Sequence, residues 1–243
     1  ATLDGAKLAQ QLDAPRLSSA GRSYPVAIQY FPARKDEALN NQCKRAIELA
    51  LLEQPGDILV FLPGRREIQA LQKLLEPLAN AQLQVLPLHG DLPIEQQSQA
   101  LRPAEAGIRR VVLASNVAES SVTLPGVRVV IDSGLAREPR FDPNSGFSRL
   151  DLVTISQASA DQRTGRAGRV SEGFCYRLWP ASQRLESMRR AEIQHSELSA
   201  LALELARWGS SDLPFVDAPP IGPWQAANDL LQALGALDGQ QRI

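Results

Sequence analysis

Three short apolar runs bounded by turn residues most restrict what this chain can fold into: DILVFLP at 57–63, IRRVVLAS at 108–115 and VRVVID at 127–132. A strand that is apolar on both sides belongs in a parallel sheet covered by helices above and below. The segments between them supply such covers. Residues 33–53 carry Leu39, Cys43, Ala46, Ile47, Ala50 and Leu51 at helical spacing before Pro55-Gly56. Residues 64–79 do the same with Ile68, Leu71, Leu74, Leu75 and Leu78. VAIQYF (26–31) and LQVLPL (83–88) read as further strands, PIEQQSQAL (93–101) as a helix and 116–121 as a short helical stretch. Strand alternating with helix at this pace predicts an α/β fold with a parallel sheet. Such sheets bind ligands at the carboxyl ends of their strands.

The pattern changes from 135. LAREPRF, a turn at Asp142-Pro143-Asn144-Ser145-Gly146 and FSRLDLVTIS predict a long hairpin. A helix is expected over about 158–168, then the strand FCYRLW (174–179). SELSALALELARWG (196–209) is amphipathic, DLPFVDAPPIGP (212–223) reads as a linker or the edge of a small domain, and WQAANDLLQALGAL (224–237) as a last helix.

At 243 residues and 44% hydrophobic, the chain can bury one large domain, or a mid-sized one with a small companion. Cys43 and Cys175 are too few for a disulfide framework and lack metal-ligand spacing, so a reducing, cytoplasmic compartment is expected. No apolar run approaches the ~18 residues of a membrane span. The formal charge of −1 conceals an uneven distribution. Residues 134–190 carry ten Arg, no Lys and six acidic residues, whereas 191–243 carry two basic and seven acidic. Near-neutrality therefore does not exclude a polyanion. Arginine also suits fixed, forked phosphate contacts better than lysine.

The sharpest motif is the octet QRTGRAGR at 162–169. On a continuous helix Gln162, Arg166 and Arg169 would share a face. Gly165 and Ala167-Gly168 would let a backbone or ligand approach closely. Two guanidinium groups and an amide suit a polyphosphate, where Arg neutralises charge on a transferred phosphoryl and Gln orients water. Backbone donors at the start of the 64–79 helix, with Arg65 nearby, suit another phosphate.

The octet resembles motif VI of superfamily 2 helicases in the DEAH/DExH form. The resemblance extends over almost the whole chain: DILVFLPGRREI (57–68) is similar to motif IV, and VLASNVAESSVTLPGVRVVIDSG (112–134) to motif V. The stretch DSGLAREPRFDPNSGFSRL (132–150) resembles the bacterial HrpB-type members. Ala1-Thr2 resemble the tail of motif III, while no G-x-x-x-x-G-K-[ST] and no Gly-Lys pair occurs. Asp36-Glu37 resembles a Walker B box but precedes a helix, and is read as a solvated helix start.

The resemblance implies a RecA-like parallel sheet flanked by helices, with a β-hairpin insertion, followed by a small helical winged-helix-like segment. The domains it implies are a tail of the first RecA-like lobe and linker (1–22), the second RecA-like lobe (23–180), a winged-helix-like segment (181–222) and the start of a helical bundle (223–243). Leu230, Leu231 and Leu234 of that last piece would then be exposed. It also implies roles. Arg166 and Arg169 would be arginine fingers, with Gln162 beside them, on ATP held by the first lobe of the same parent chain. Ser121 would sense the γ-phosphate, and Ser115, Asn116, Gly64 and Arg65 would contact a nucleic-acid backbone. Mg²⁺ would belong to the first lobe, and no metal site is expected here. The implied partner is single-stranded nucleic acid, RNA rather than DNA. The isolated chain would be inactive. Where some members stack adenine on an aromatic residue this chain has Leu101, and where motif V commonly ends in Asp it has Pro125. The competing reading is a non-catalytic nucleic-acid-binding or partner-binding module with the same lobe fold.

Overall fold

Alternate side chains of Asp57–Phe61 point to opposite faces of a sheet, and both sets are buried. Ile58 and Val60 pack with Cys43, Ile47, Ile68 and Leu71. Leu59 and Phe61 pack with Leu88, Val112, Val130, Ala118 and Cys175. This two-sided burial is what the continuous apolar run dictates, and it makes the strand (β2) the middle of the fold. The computed structural model describes residues 5–17, 23–120, 122–142, 145–210 and 213–243.

Six parallel strands form the sheet in the order β1-β8-β5-β2-β4-β3: β1 Val26–Tyr30, β3 Leu83–Leu88, β4 Arg109–Ala114, β5 Val127–Asp132 and β8 Gly173–Arg177, with β2. The helices are α1 Gly5–Gln11, α2 Leu39–Glu53, α3 Arg65–Leu75, α4 Ile94–Leu101, α5 Val117–Ser120, α6 Gln157–Thr164, α7 Ser199–Trp208 and α8 Ile221–Ala233. Helices α2 and α3 cover one face, while α4, α5 and the turn after α6 cover the other. β6 (Leu135–Asp142) and β7 (Phe147–Thr154) pair as a separate two-stranded ribbon. It is the expected hairpin, and Pro143 and Asn144 of its turn lie outside the described residues. This is the α/β, RecA-like architecture of a parallel sheet flanked by helices.

The amino ends of the strands are tied by two adjacent arginines. Arg109 donates to the carbonyls of Gly56, Leu51, Ala50 and Gln54, closing the carbonyl end of α2 where helical partners run out. Arg110 turns the other way and pairs with Asp57.

The described residues divide into two units, one from 20–137 and 152–189, the other from 3–19, 138–151 and 190–243. In the second, Leu198, Ala202, Ala227, Leu231 and Leu237 form a small core. Lys7 of α1 pairs with Asp217 at 2.7 Å. Helix α8 begins at Ile221, inside the segment expected to be a linker or small-domain edge, because Pro223 falls in the first turn, where a missing N–H costs nothing. Leu230 and Leu234 are exposed, but Leu231 is 5% exposed and belongs to the core, which corrects the expectation for that residue.

Candidate functional site

The octet does not continue one helix. Helix α6 is capped by Ser156, whose hydroxyl accepts from Ser159 N at 3.2 Å, and stops at Thr164. Beyond it, Arg166 N, Ala167 N and Gly168 N bond to the carbonyls three residues back, a tightening common at helix ends. The expected helical face shared by Gln162, Arg166 and Arg169 is therefore not formed. The small residues explain why. The carbonyl of Tyr24 lies 2.5 Å from where a Cβ on Gly168 would sit, and Tyr24 N donates to Gly168 O at 2.9 Å. The predicted close approach is thus made at Gly168 by the chain's own backbone. Gly165 meets only ordinary contacts, at 3.5 Å.

The turn nonetheless aims both arginines at one segment. Arg166, 6% exposed, donates from Nε to the Glu119 carbonyl at 3.0 Å, and its terminal nitrogens donate to the carbonyls of Glu119 and Val122. Arg169 is exposed and donates to Thr123 Oγ1 at 2.8 Å. Burial, and next the like charge of Arg169, pull the Arg166 guanidinium below its ordinary value, with Glu119 opposing. Gln162 is half-buried and its side chain has no partner among the described residues. Ser121, between the segment's two anchored ends, lies outside the described residues.

A second group gathers at the carboxyl ends of neighbouring strands. Phe61 of β2 is in register with Ala114 of β4, so Gly64-Arg65 after the one and Ser115-Asn116 after the other lie at the same edge. Asn116 and Arg65 are exposed. Gly64 is the N-cap of α3 in an extended conformation, so its lack of a side chain is explained by space. A Cβ there would lie 3.0 Å from Arg137 Nε, and Arg137 is held by Glu67 at 2.7 Å. His89, at the end of β3, is 6% exposed and its Nδ1 is buried without a partner. Burial lowers its pKa, with Asp91 raising it and Arg65 lowering it further.

Sequence reasoning missed Arg163, the octet's most buried charged side chain. It is 1% exposed and bonds to Glu119 Oε2 and Asp132 Oδ1, both at 2.9 Å. Burial works against its charge, but the carboxylates of Asp132 and Glu119 outweigh it and hold the guanidinium above its ordinary value. The available signal was an acid closing each of two buried segments, Glu119 after β4 and Asp132 at the end of β5. Among the described residues no three His, Cys, Asp or Glu cluster to hold a metal ion. No helix among them is long and apolar enough to cross a membrane.

The pattern of the helicase conserved C-terminal domain matches residues 40–171. The chain is 41% identical to the ATP-dependent RNA helicase HrpB of Escherichia coli (strain K12), over 99% of this chain and 30% of that protein. It is 39% identical to the pre-mRNA-splicing factor ATP-dependent RNA helicase prp22 of Schizosaccharomyces pombe, over 99% of this chain and 22% of that protein. The crystal structure of the Escherichia coli DEAH/RHA helicase HrpB superposes with a TM-score of 0.94 at 40% identity, covering 100% of this chain and 32% of that one. The chain thus spans less than a third of the length of each of these proteins. The family pattern covers more than half of the chain and the superposed structure is 40% identical over all of it, so the chain belongs to the helicase conserved C-terminal domain family, as the C-terminal RecA-like lobe of the DEAH/DExH type.

Proposed function

We propose that this chain is the second RecA-like lobe of an ATP-dependent RNA helicase. In this reading it presents Gln162, Arg166 and Arg169 to ATP held by a first lobe and carries part of the track for single-stranded RNA. One observation carries the proposal: Arg166 and Arg169 bond to Glu119 and Thr123 in the stretch after β4, whose start, Ser115-Asn116, sits beside Gly64-Arg65 at the carboxyl edge of the sheet. A polyphosphate would compete for Arg166 with two backbone carbonyls, which are neutral acceptors and weaker than an anionic oxygen. Arg169, with one hydroxyl partner, is freer to turn. ATP supplies the phosphoryl group whose transfer to water drives lobe movement. This chain's arginines would neutralise charge developing on it, and Gln162 would orient the water. The P-loop and Mg²⁺ belong, in this proposal, to the first lobe, and the chain alone hydrolyses little or no ATP. Ser121 is assigned to γ-phosphate sensing. The lobe is taken as 23–180, with the flanking segments 1–22, 181–222 and 223–243 as delimited above. RNA is preferred to DNA because relatives such as HrpB and prp22 are named RNA helicases.

The second reading, a non-catalytic binding module, draws on the commitment of Arg166 to backbone carbonyls, a role that needs no nucleotide. Steady-state ATPase of the parent protein, with and without single-stranded RNA, separates the two. Arg166→Ala is expected to lower the rate by ~10³-fold or more, the scale of an arginine finger. Equal rates would leave the arginines structural and favour the binding module.

A further inference from the structure

The two edges of the sheet are finished differently. Arg109 N bonds to Gln82 O at 2.8 Å and Ser115 N to Leu88 O at 3.1 Å. The evenly spaced bonds of a parallel pair then turn Gln84, Leu86 and Leu88 of β3 toward β4, and Leu83, Val85 and Pro87 outward. That outer row is blunted. Leu83 exchanges both backbone bonds with Asn80, and Pro87 has no N–H to offer. A proline and a short free row are ways in which a sheet refuses a further strand.

The opposite edge, β1, has neither device. Gly173 N bonds to Pro25 O at 3.0 Å and Phe31 N to Arg177 O at 2.7 Å. With Val26 in register with Gly173 and Tyr30 with Arg177, Ala27 and Gln29 turn toward β8. The N–H and C=O groups of Val26, Ile28 and Tyr30 therefore face outward, and none of them has a partner among the described residues. The strand VAIQY holds no charge, no proline and no bulge. Its side chains are exposed on both faces, Ala27 and Gln29 on one, Ile28 (46%) and Tyr30 (38%) on the other. The helices on either face thus stop short of the edge, and a strand has room to join it.

The row is also self-complementary. Laid antiparallel against itself with Ile28 on a twofold axis, it sets Ile28 against Ile28 and Val26 of each copy against Tyr30 of the other, with reciprocal hydrogen bonds at all three positions. An aromatic side chain opposite a β-branched one is a favourable cross-strand pair, and with no charge in β1 no like charges meet. A slip of one residue would present Ala27 and Gln29, whose backbone groups are already spent on β8. A patch that contacts itself closes at two copies.

We infer that β1 is a docking edge for a second copy of this chain, paired antiparallel about Ile28 into one continuous sheet. The inference draws on none of the groups assigned to nucleotide or nucleic acid and stands apart from the proposed helicase function. One strand pair buries less than the roughly 1,200 Å² of a stable complex, so the dimer forms and dissociates with concentration.

Sedimentation equilibrium of the full-length parent protein over roughly 1–100 µM is expected to show a monomer–dimer equilibrium. Ile28→Lys and Ile28→Glu each set like charges face to face at the axis, on an exposed side chain that the fold does not need. Each is expected to keep the melting temperature and to raise the dimer Kd about tenfold or more. Mixed in equal amounts the two variants oppose unlike charges, and are expected to associate within about threefold of the unmutated protein. Ile28→Cys is expected to form an intermolecular disulfide under mild oxidation, since facing residues of a hydrogen-bonded pair lie about 5.5 Å apart. Ala27→Cys, on the other face and about 7–8 Å from its own copy across the diagonal, is not. A parent protein that stays monomeric across the range overturns the inference. So does a Kd that neither charge moves, a mixture no tighter than its components, or an Ile28→Cys protein that cross-links no more than Ala27→Cys. Slow hydrogen exchange of the Ile28 amide in a monomeric parent overturns it too, by showing that another segment of the same chain covers the edge.

Discussion

Arg110 and Asp57 lock the amino ends of β4 and β2 together: Nε and a terminal nitrogen reach Asp57 Oδ2 at 2.8 and 2.7 Å, and the Arg110 backbone N–H reaches Oδ1 at 2.9 Å. The side chains are 2% and 7% exposed. The donors left over go to the carbonyls of Pro125, Ala100 and Arg102. A single arginine thus satisfies the carboxyl end of α4, the loop before β5 and the central strand. Asp57→Ala would leave that cation buried without its counter-charge, and is expected to cost about 3–5 kcal/mol in urea unfolding. A loss below about 1 kcal/mol, typical of a surface pair, would show that the joint is not the anchor its geometry makes it.

The two thiols give a chemical measure of packing. Cys43 and Cys175 are both buried and unpaired, and burial pushes each up to about 12. Since the thiolate is the reactive form, alkylation of the folded chain at pH 8 is expected to be ~10³-fold or more slower than for an exposed thiol of pKa about 8.5. Both should react promptly in denaturant. Fast labelling of either cysteine without denaturant would place it outside the core described above.

His89 makes stability depend on pH. Burial lowers its pKa from the ordinary 6.5, and Arg65 lowers it further against the pull of Asp91. The folded state then binds the proton more weakly than the unfolded chain. Stability is level above about pH 6.5 and declines as pH falls through that value toward the folded pKa. His89→Gln is expected to flatten this decline in unfolding curves recorded between pH 7.5 and 5.5. An equally steep loss in the variant would assign the acid sensitivity to other groups.

Where the sequence is periodic, the fold follows it. The apolar runs at 57–63 and 127–132 are buried strands because nothing but a two-sided sheet accommodates them. It misled at 165–168. Helical spacing of Gln162, Arg166 and Arg169 suggested one face, yet the helix ends at Thr164 and the turn beyond it brings Gly168 against the Tyr24 carbonyl. Arg163 carried no periodic signal at all. Its role depends on Glu119 and Asp132, 44 and 31 positions away along the chain, and such pairings are set by the sheet order and not by local pattern. Pro223 misled for the opposite reason, since a residue that breaks helix interiors is welcome in a first turn.

The edge formed by Arg65 and Asn116 can be dissected by salt. Both are exposed beside the ends of β2 and β4, but only Arg65 carries charge. A cation that neutralises one phosphate of a single strand contributes about −0.7 to the slope of log K against log salt concentration. Arg65→Ala in the parent protein is therefore expected to weaken single-stranded RNA binding and make that slope shallower by about 0.7. Asn116→Ala removes a neutral hydrogen-bonding group. It is expected to weaken binding by about 1 kcal/mol, the net worth of such a bond, with the slope unchanged. Fluorescence anisotropy of a labelled oligonucleotide from 50 to 300 mM KCl distinguishes the two. An unchanged slope in Arg65→Ala would remove that residue from the phosphate track and leave the backbone amides of α3 and the Ser115-Asn116 turn to carry it.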